Sequence, residues 1–109
     1  MKIRRLQRRD ENEHWYDDAY AYENEEGQII FRYNLTWESV GTRYHKMFKE
    51  TDVSLEEIET IMPLDGQTMR WLPIEVIEDS QVASYLAALN EACAIPKPRP
   101  ISITNVLTA

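Results

Sequence analysis

The sequence predicts a small single α+β domain: an antiparallel sheet of three to five strands with an N-terminal hairpin, packed by two or three helices. Three observations carry that expectation. Residues 14–37 alternate aromatic and polar side chains with period two, interrupted once at Asn24-Glu25-Glu26-Gly27, the pattern of two strands and a turn. From Val40 onward apolar residues return at intervals of three and four, which is helical spacing. A chain of 109 residues, 43% apolar and 28% charged, is one domain by size and carries enough apolar side chains for a core.

Along the chain, Ile3–Gln7 reads as a short strand whose arginines suit a sheet edge. His14–Glu23 and Gln28–Trp37 are the paired strands. Val40, Tyr44, Met47 and Phe48 then lie on one helical face. Ser39 is a candidate cap, and Lys46 and Lys49 sit near the end where the helix dipole favours cations. Thr51-Asp52 breaks this helix. Ser54-Leu55-Glu56-Glu57 is a capping box, with Val53 and Ile58 placed as a hydrophobic staple, so a second short helix is expected over about Leu55–Met62. Pro63-Leu64-Asp65-Gly66 is a turn. Residues 67–78, QTMRWLPIEVIE, fit either an irregular strand interrupted by Pro73 or a short helix followed by a strand from Ile74. Asp79 or Ser80 caps the longest helix, Gln81–Ala94, whose apolar stripe is Val82, Tyr85, Leu86, Leu89 and Cys93. The domain therefore spans 1–94. Residues 95–109 form a proline-braced tail, expected to dock on its own or a neighbouring chain. Its segment 101–107 is a candidate strand for homodimer formation by exchange.

The hairpin register decides what faces outward. On the first strand Tyr16, Asp18, Tyr20 and Tyr22 share one side, and Trp15, Asp17, Ala19 and Ala21 the other. A two- or four-residue loop would set the tyrosines with Phe31, Tyr33 and Leu35. A three-residue loop, Glu25-Glu26-Gly27, would set them with Ile30, Arg32, Asn34 and Thr36. Gly27 takes positive φ freely, so a type I turn with a glycine bulge favours the three-residue loop. Ala19 and Ala21 then leave room for Tyr33 and Phe31 inside, although Asp17 is left facing Leu35. The tyrosine side becomes either an exposed contact surface or a face covered by the C-terminal helix.

Charge narrows the function. The net charge is −7, and it is segregated: Lys2, Arg4, Arg5, Arg8 and Arg9 fall within residues 1–9, while residues 10–26 hold eight acids and no Lys or Arg. Such a chain repels nucleic acid at long range and attracts basic surfaces. The leading expectation is a non-enzymatic, acidic protein-interaction module that occupies a basic surface on a protein partner. Small acidic proteins of this kind include phage and mobile-element inhibitors that imitate the charge of DNA. Its partner-binding residues are Tyr16, Asp17, Asp18, Tyr20, Tyr22, Glu23, Glu25, Glu26 and Arg32. No phosphate-cradling glycine loop is present. His14 and His45 lack ligand spacing, and Cys93 lies on an apolar stripe, so neither metal nor other cofactor is expected. A single cysteine, with no apolar run long enough for a membrane span and no signal-like h-region after MKIRRLQRR, points to a cytoplasmic setting.

Residues 54–72, SLEEIETIMPLDGQTMRWL, place Ile58, Ile61, Leu64 and Met69 at apolar positions that resemble the helix-turn-helix pattern of bacterial repressors. That resemblance implies DNA binding through Gln67, Thr68 and Arg70 on a recognition helix. It covers about a fifth of the chain. It departs from the pattern at Glu59, where a small residue usually packs, at Pro63, which replaces the turn glycine, and at Pro73, which limits the second helix.

Overall fold

The structure, a computed structural model, describes residues 1–94. Five strands, β1 (Lys2–Arg9), β2 (Trp15–Glu23), β3 (Ile29–Tyr33), β4 (Met69–Trp71) and β5 (Glu75–Val76), build an antiparallel sheet. Three helices accompany it: α1 (Glu38–Glu50), α2 (Ile58–Ile61) and α3 (Asp79–Ala94). The α+β expectation is met, and the residue 67–78 stretch resolves as an irregular strand. Pro73 has no N–H to donate. It separates β4, paired with Leu6–Arg8, from β5, paired with Lys2 and Ile3.

This arrangement corrects the reading of the first strand. The sheet order is β3-β2-β1-β4, with β5 also on β1, so β1 is central and not an edge. One of its arginines serves the interior instead. Arg4 is buried and donates to the carbonyls of Leu72 (2.9 Å) and Leu55 (3.0 Å), while its other Nη bonds the carboxylate of Glu59. Trp71 lies under the guanidinium at 5.8 Å. One cation thus joins the strand break, the 55–57 turn and α2, and a buried charge is kept only where it is bonded on this scale.

The second correction is to the third strand, which ends at Tyr33. Leu35–Trp37 is a single 3-10 turn leading into α1. Asn34 causes this departure: its Oδ1 accepts the Thr36 backbone N–H at 2.9 Å, an Asx-type turn that competes with the ladder. The turn still delivers the Trp37 ring into the core.

Helices cover both faces. On one, α1 and the 53–62 segment bury Leu6, Ala21, Phe31, Trp37, Phe48, Leu55, Ile58 and Met62 together. Phe31 sits among rings, 5.2 Å from Phe48 and 5.9 Å from Trp37 by centroid. On the other, α3 covers Ile3 and Tyr20 with Leu89 and Cys93. Helix α1 approaches so closely that a Cβ on Gly41 would lie 2.5 Å from the Tyr33 ring. Replacing Gly41 with alanine raises helix propensity by about 1 kcal/mol, but overpacking costs about 1–3 kcal/mol. The expected result is a net loss of stability in urea unfolding. A gain would show that α1 does not rest on that ring.

Candidate functional site

The β2–β3 register is the three-residue-loop register: Ala19 faces Tyr33, Tyr20 faces Arg32 and Ala21 faces Phe31. Asn24 and Gly27 build the turn. Asn24 Oδ1 accepts the N–H groups of Glu26 (3.0 Å) and Gln28 (2.8 Å), and Gly27 adopts φ +77°.

A bulge then changes which side chains share a face. Leu6 pairs with Ala19, but the next residue, Gln7, pairs with Asp17, so Asp18 is the extra residue. The alternation of β2 reverses there. Trp15 and Asp17 join the side of Tyr20 and Tyr22. Tyr16 and Asp18 join the side of Ala19 and Ala21. Asp17 therefore leaves the side of Ala19 and Ala21, where strict alternation placed it.

The predicted tyrosine–acid face is not a surface. Tyr20 is 1% exposed, sealed beneath α3, and its hydroxyl bonds Asn90 Oδ1. Burial pushes its phenol up to about 12. Asp18 is 2% exposed. It accepts from Trp37 Nε1 (2.7 Å), Asn34 Nδ2 (2.8 Å) and Arg8 Nε (3.0 Å). Asp17 is half-buried and paired with Arg5 at 3.3 Å, which also holds Glu75 at 2.9 Å. Tyr16 is half-buried and Arg32 is exposed opposite Tyr20. Nor is the acidic block continuous. Asp10, Glu11 and Glu13 lie at one end of β2 and Glu23, Glu25 and Glu26 at the other, about 30 Å apart for nine extended residues.

Of the predicted partner residues, Tyr22, Glu23, Glu25 and Glu26 lie together at the hairpin tip. The first three border a groove of about 680 Å³ between the hairpin tip and the first turns of α3. Met1, Tyr22, Val82 and Leu86 line its apolar part, and Glu23, Glu25 and Asp79 its acidic part. None of these three acids has an ion pair among the described residues. Lys2 also borders the groove, with its ammonium 3.4 Å from Glu56. Glu26 lies on the opposite side of the tip, near Asp52 and Lys49. Sequence reasoning missed Met1, Asp79, Val82 and Leu86 as site residues. Val82 and Leu86 were legible as apolar, but not as partly uncovered.

The recognition helix implied by the repressor-like segment does not form. Its first half is helical, with Ser54 Oγ donating to Glu57 (2.8 Å). Asp65 then takes control of the backbone. Its Oδ1 accepts the N–H groups of Gln67 and Thr68, both at 2.8 Å, and its Oδ2 accepts the Thr68 hydroxyl at 2.6 Å. The Thr68 hydroxyl, with those amides, holds the Asp65 carboxyl well below the usual carboxylate range. Gly66 at φ +78° completes a turn that sends Met69–Trp71 into the sheet. Arg70 stacks on Trp15, 3.9 Å from the ring centroid, and donates to Gln7 Oε1 at 2.8 Å. Gln67, Thr68 and Arg70 therefore do not share a helix face.

Cys93 is buried, and His14 is exposed near Asp10. His45 Nδ1 lies 3.3 Å from the Phe31 carbonyl. Among the described residues no group of three or more His, Cys, Asp or Glu side chains is placed to hold a metal ion, and no helix is long and apolar enough to cross a membrane. The proline-braced tail and its candidate exchange strand, 101–107, lie outside the described residues. Comparison with protein-family models, curated proteins and solved structures found no match to this chain.

Proposed function

We propose that this domain is a non-enzymatic binding module that docks a basic segment of a protein partner, anchored by an apolar side chain, in the groove between the β2–β3 tip and the start of α3. The observation that carries this reading is the combination in one concavity of an apolar floor, Tyr22, Val82 and Leu86, with the carboxylates Glu23, Glu25 and Asp79. An apolar anchor surrounded by charge is the anatomy of a protein interface. The net charge of −7 adds long-range attraction for a cationic partner. A cytoplasmic setting suits a module whose single cysteine is buried.

The test is an NMR titration of the isotope-labelled chain with a synthetic amphipathic peptide of lysine and leucine. Shifts are expected to concentrate at Tyr22–Glu25 and Asp79–Leu86. The double substitution Glu23→Lys, Glu25→Lys is expected to weaken binding at least about tenfold and to reduce its salt dependence. Glu11→Lys, Glu13→Lys, at the far end of β2, is expected to change it little. Shifts spread evenly over the acidic surface, or affinity indifferent to salt, would reject the groove as the site.

A further inference from the structure

A second pocket opens on the opposite face of the sheet, where β1, the 35–37 turn, α1 and the 62–69 loop meet. Its volume is about 250 Å³, below the roughly 300–1,000 Å³ of sites for drug-sized ligands. Its walls include Trp37, Tyr44, Met62 and Met69, with Val40, 44% exposed, at the mouth. Among the described residues no carboxylate lines it, and the only charged one that does is Arg8. The chain as a whole carries a net charge of −7.

Arg8 is held in place from two sides. Its Nε donates to Asp18 at 3.0 Å, and its guanidinium lies 5.7 Å from the centroid of the Trp37 ring. Asp18 is itself fixed by Trp37 Nε1 and Asn34. A guanidinium is planar with its donors in a rigid fork, so fixing Nε and one face fixes the direction of the Nη donors of a residue that borders the pocket. The Arg8–Asp18 pair is neutral as a unit. A ligand would therefore be recognised by directed donors and apolar contact, not by net charge.

We propose that this pocket binds a small apolar carboxylate, an aromatic or branched-chain monocarboxylate whose body rests against Trp37, Tyr44 and Met62 and whose oxygens accept from Arg8. The two oxygens of a carboxylate match the guanidinium fork. The apolar walls leave room for a hydrocarbon body of this size. The site is separate from the acidic groove, so either proposal can fail without the other.

Phenylacetate and isovalerate are the probes, with phenylacetamide and acetate as controls. Binding is read by NMR from the Trp37 indole N–H. Both acids are expected to give a saturable shift, the amide binding at least about tenfold more weakly because it lacks the charge-assisted hydrogen bond, and acetate giving none. Arg8→Lys is expected to lose the shift. Val40→Trp, which closes the mouth at an exposed position, is expected to lose it with an unchanged melting temperature, so the test stands even if the Arg8 variant unfolds. Equal binding of acid and amide, absence of a saturable shift, or wild-type binding by Val40→Trp would overturn the proposal.

Discussion

Alanine at position 18 is expected to lower the unfolding free energy by about 3–5 kcal/mol, the range for removing one partner of a buried ion pair. Asp18 is 2% exposed and accepts from three donors. Its loss leaves the Trp37 indole N–H, the Asn34 amide and the Arg8 guanidinium without their acceptor. Those three groups lie on the 34–37 turn and on β1, so the damage reaches both α1 and the sheet bulge. A domain of this size holds about 5–15 kcal/mol in total, and the variant would be partly unfolded on modest heating. Asp18→Asn keeps an acceptor and loses the charge, and a smaller cost of about 1.5–3 kcal/mol is expected. Urea unfolding of both variants checks the order. A near-wild-type Asp18→Ala would mean that water, not the protein, satisfies these donors.

Tyr20→Ala is expected to cost about 3–5 kcal/mol, as for a large aromatic core residue, and to release α3 first. Amide hydrogen exchange along 79–94 would then accelerate ahead of exchange in β1 and β2. Tyr20→Phe removes only the bond to Asn90 and should cost about 1 kcal/mol. The same ring gives the domain an alkaline limit. Burial raises the Tyr20 phenol to about 12, and burial with the hydrogen bond to Glu75 raises Tyr85 to about 12. The unfolded chain releases these protons near 10, so between 10 and 12 it binds fewer protons than the fold does. Stability is therefore complete below about pH 10 and falls as pH rises toward 12. Tyr20→Phe and Tyr85→Phe should each reduce that fall. An unchanged alkaline midpoint in both would show that neither phenol is coupled to folding.

Local chemistry was legible where one residue decides the backbone. Gly27 chose the hairpin register, the Ser54–Glu57 pair marked a helical start that became a 3-10 turn, Leu55–Glu57, and the single turn of α2, and Pro73 split the strand after β4. The candidate site was legible only in part. Tyr22, Glu23 and Glu25 were named from sequence, but the groove they border needs Val82 and Leu86 from a helix some sixty residues away. The bulge at Asp17-Asp18 left no composition signal, because any residue can be the inserted one. It nonetheless reversed the faces of Tyr16 and Asp18, and so turned a predicted contact acid into an internal anchor.

From its own letters the chain determined the kinds and order of the elements outside residues 67–78, and the turn that aligns β2 with β3, since these depend on side-chain period and on backbone preferences within a few residues. Only the tertiary structure decided that β1 is central, that Met69–Trp71 pairs with Leu6–Arg8 as a strand where a helix pattern stood, and that α3 seals Tyr20 while leaving Tyr22 at a groove. These outcomes rest on contacts between residues far apart in the sequence. Burial belongs to the assembled layers, and no local pattern states which of two alternating faces a helix will cover.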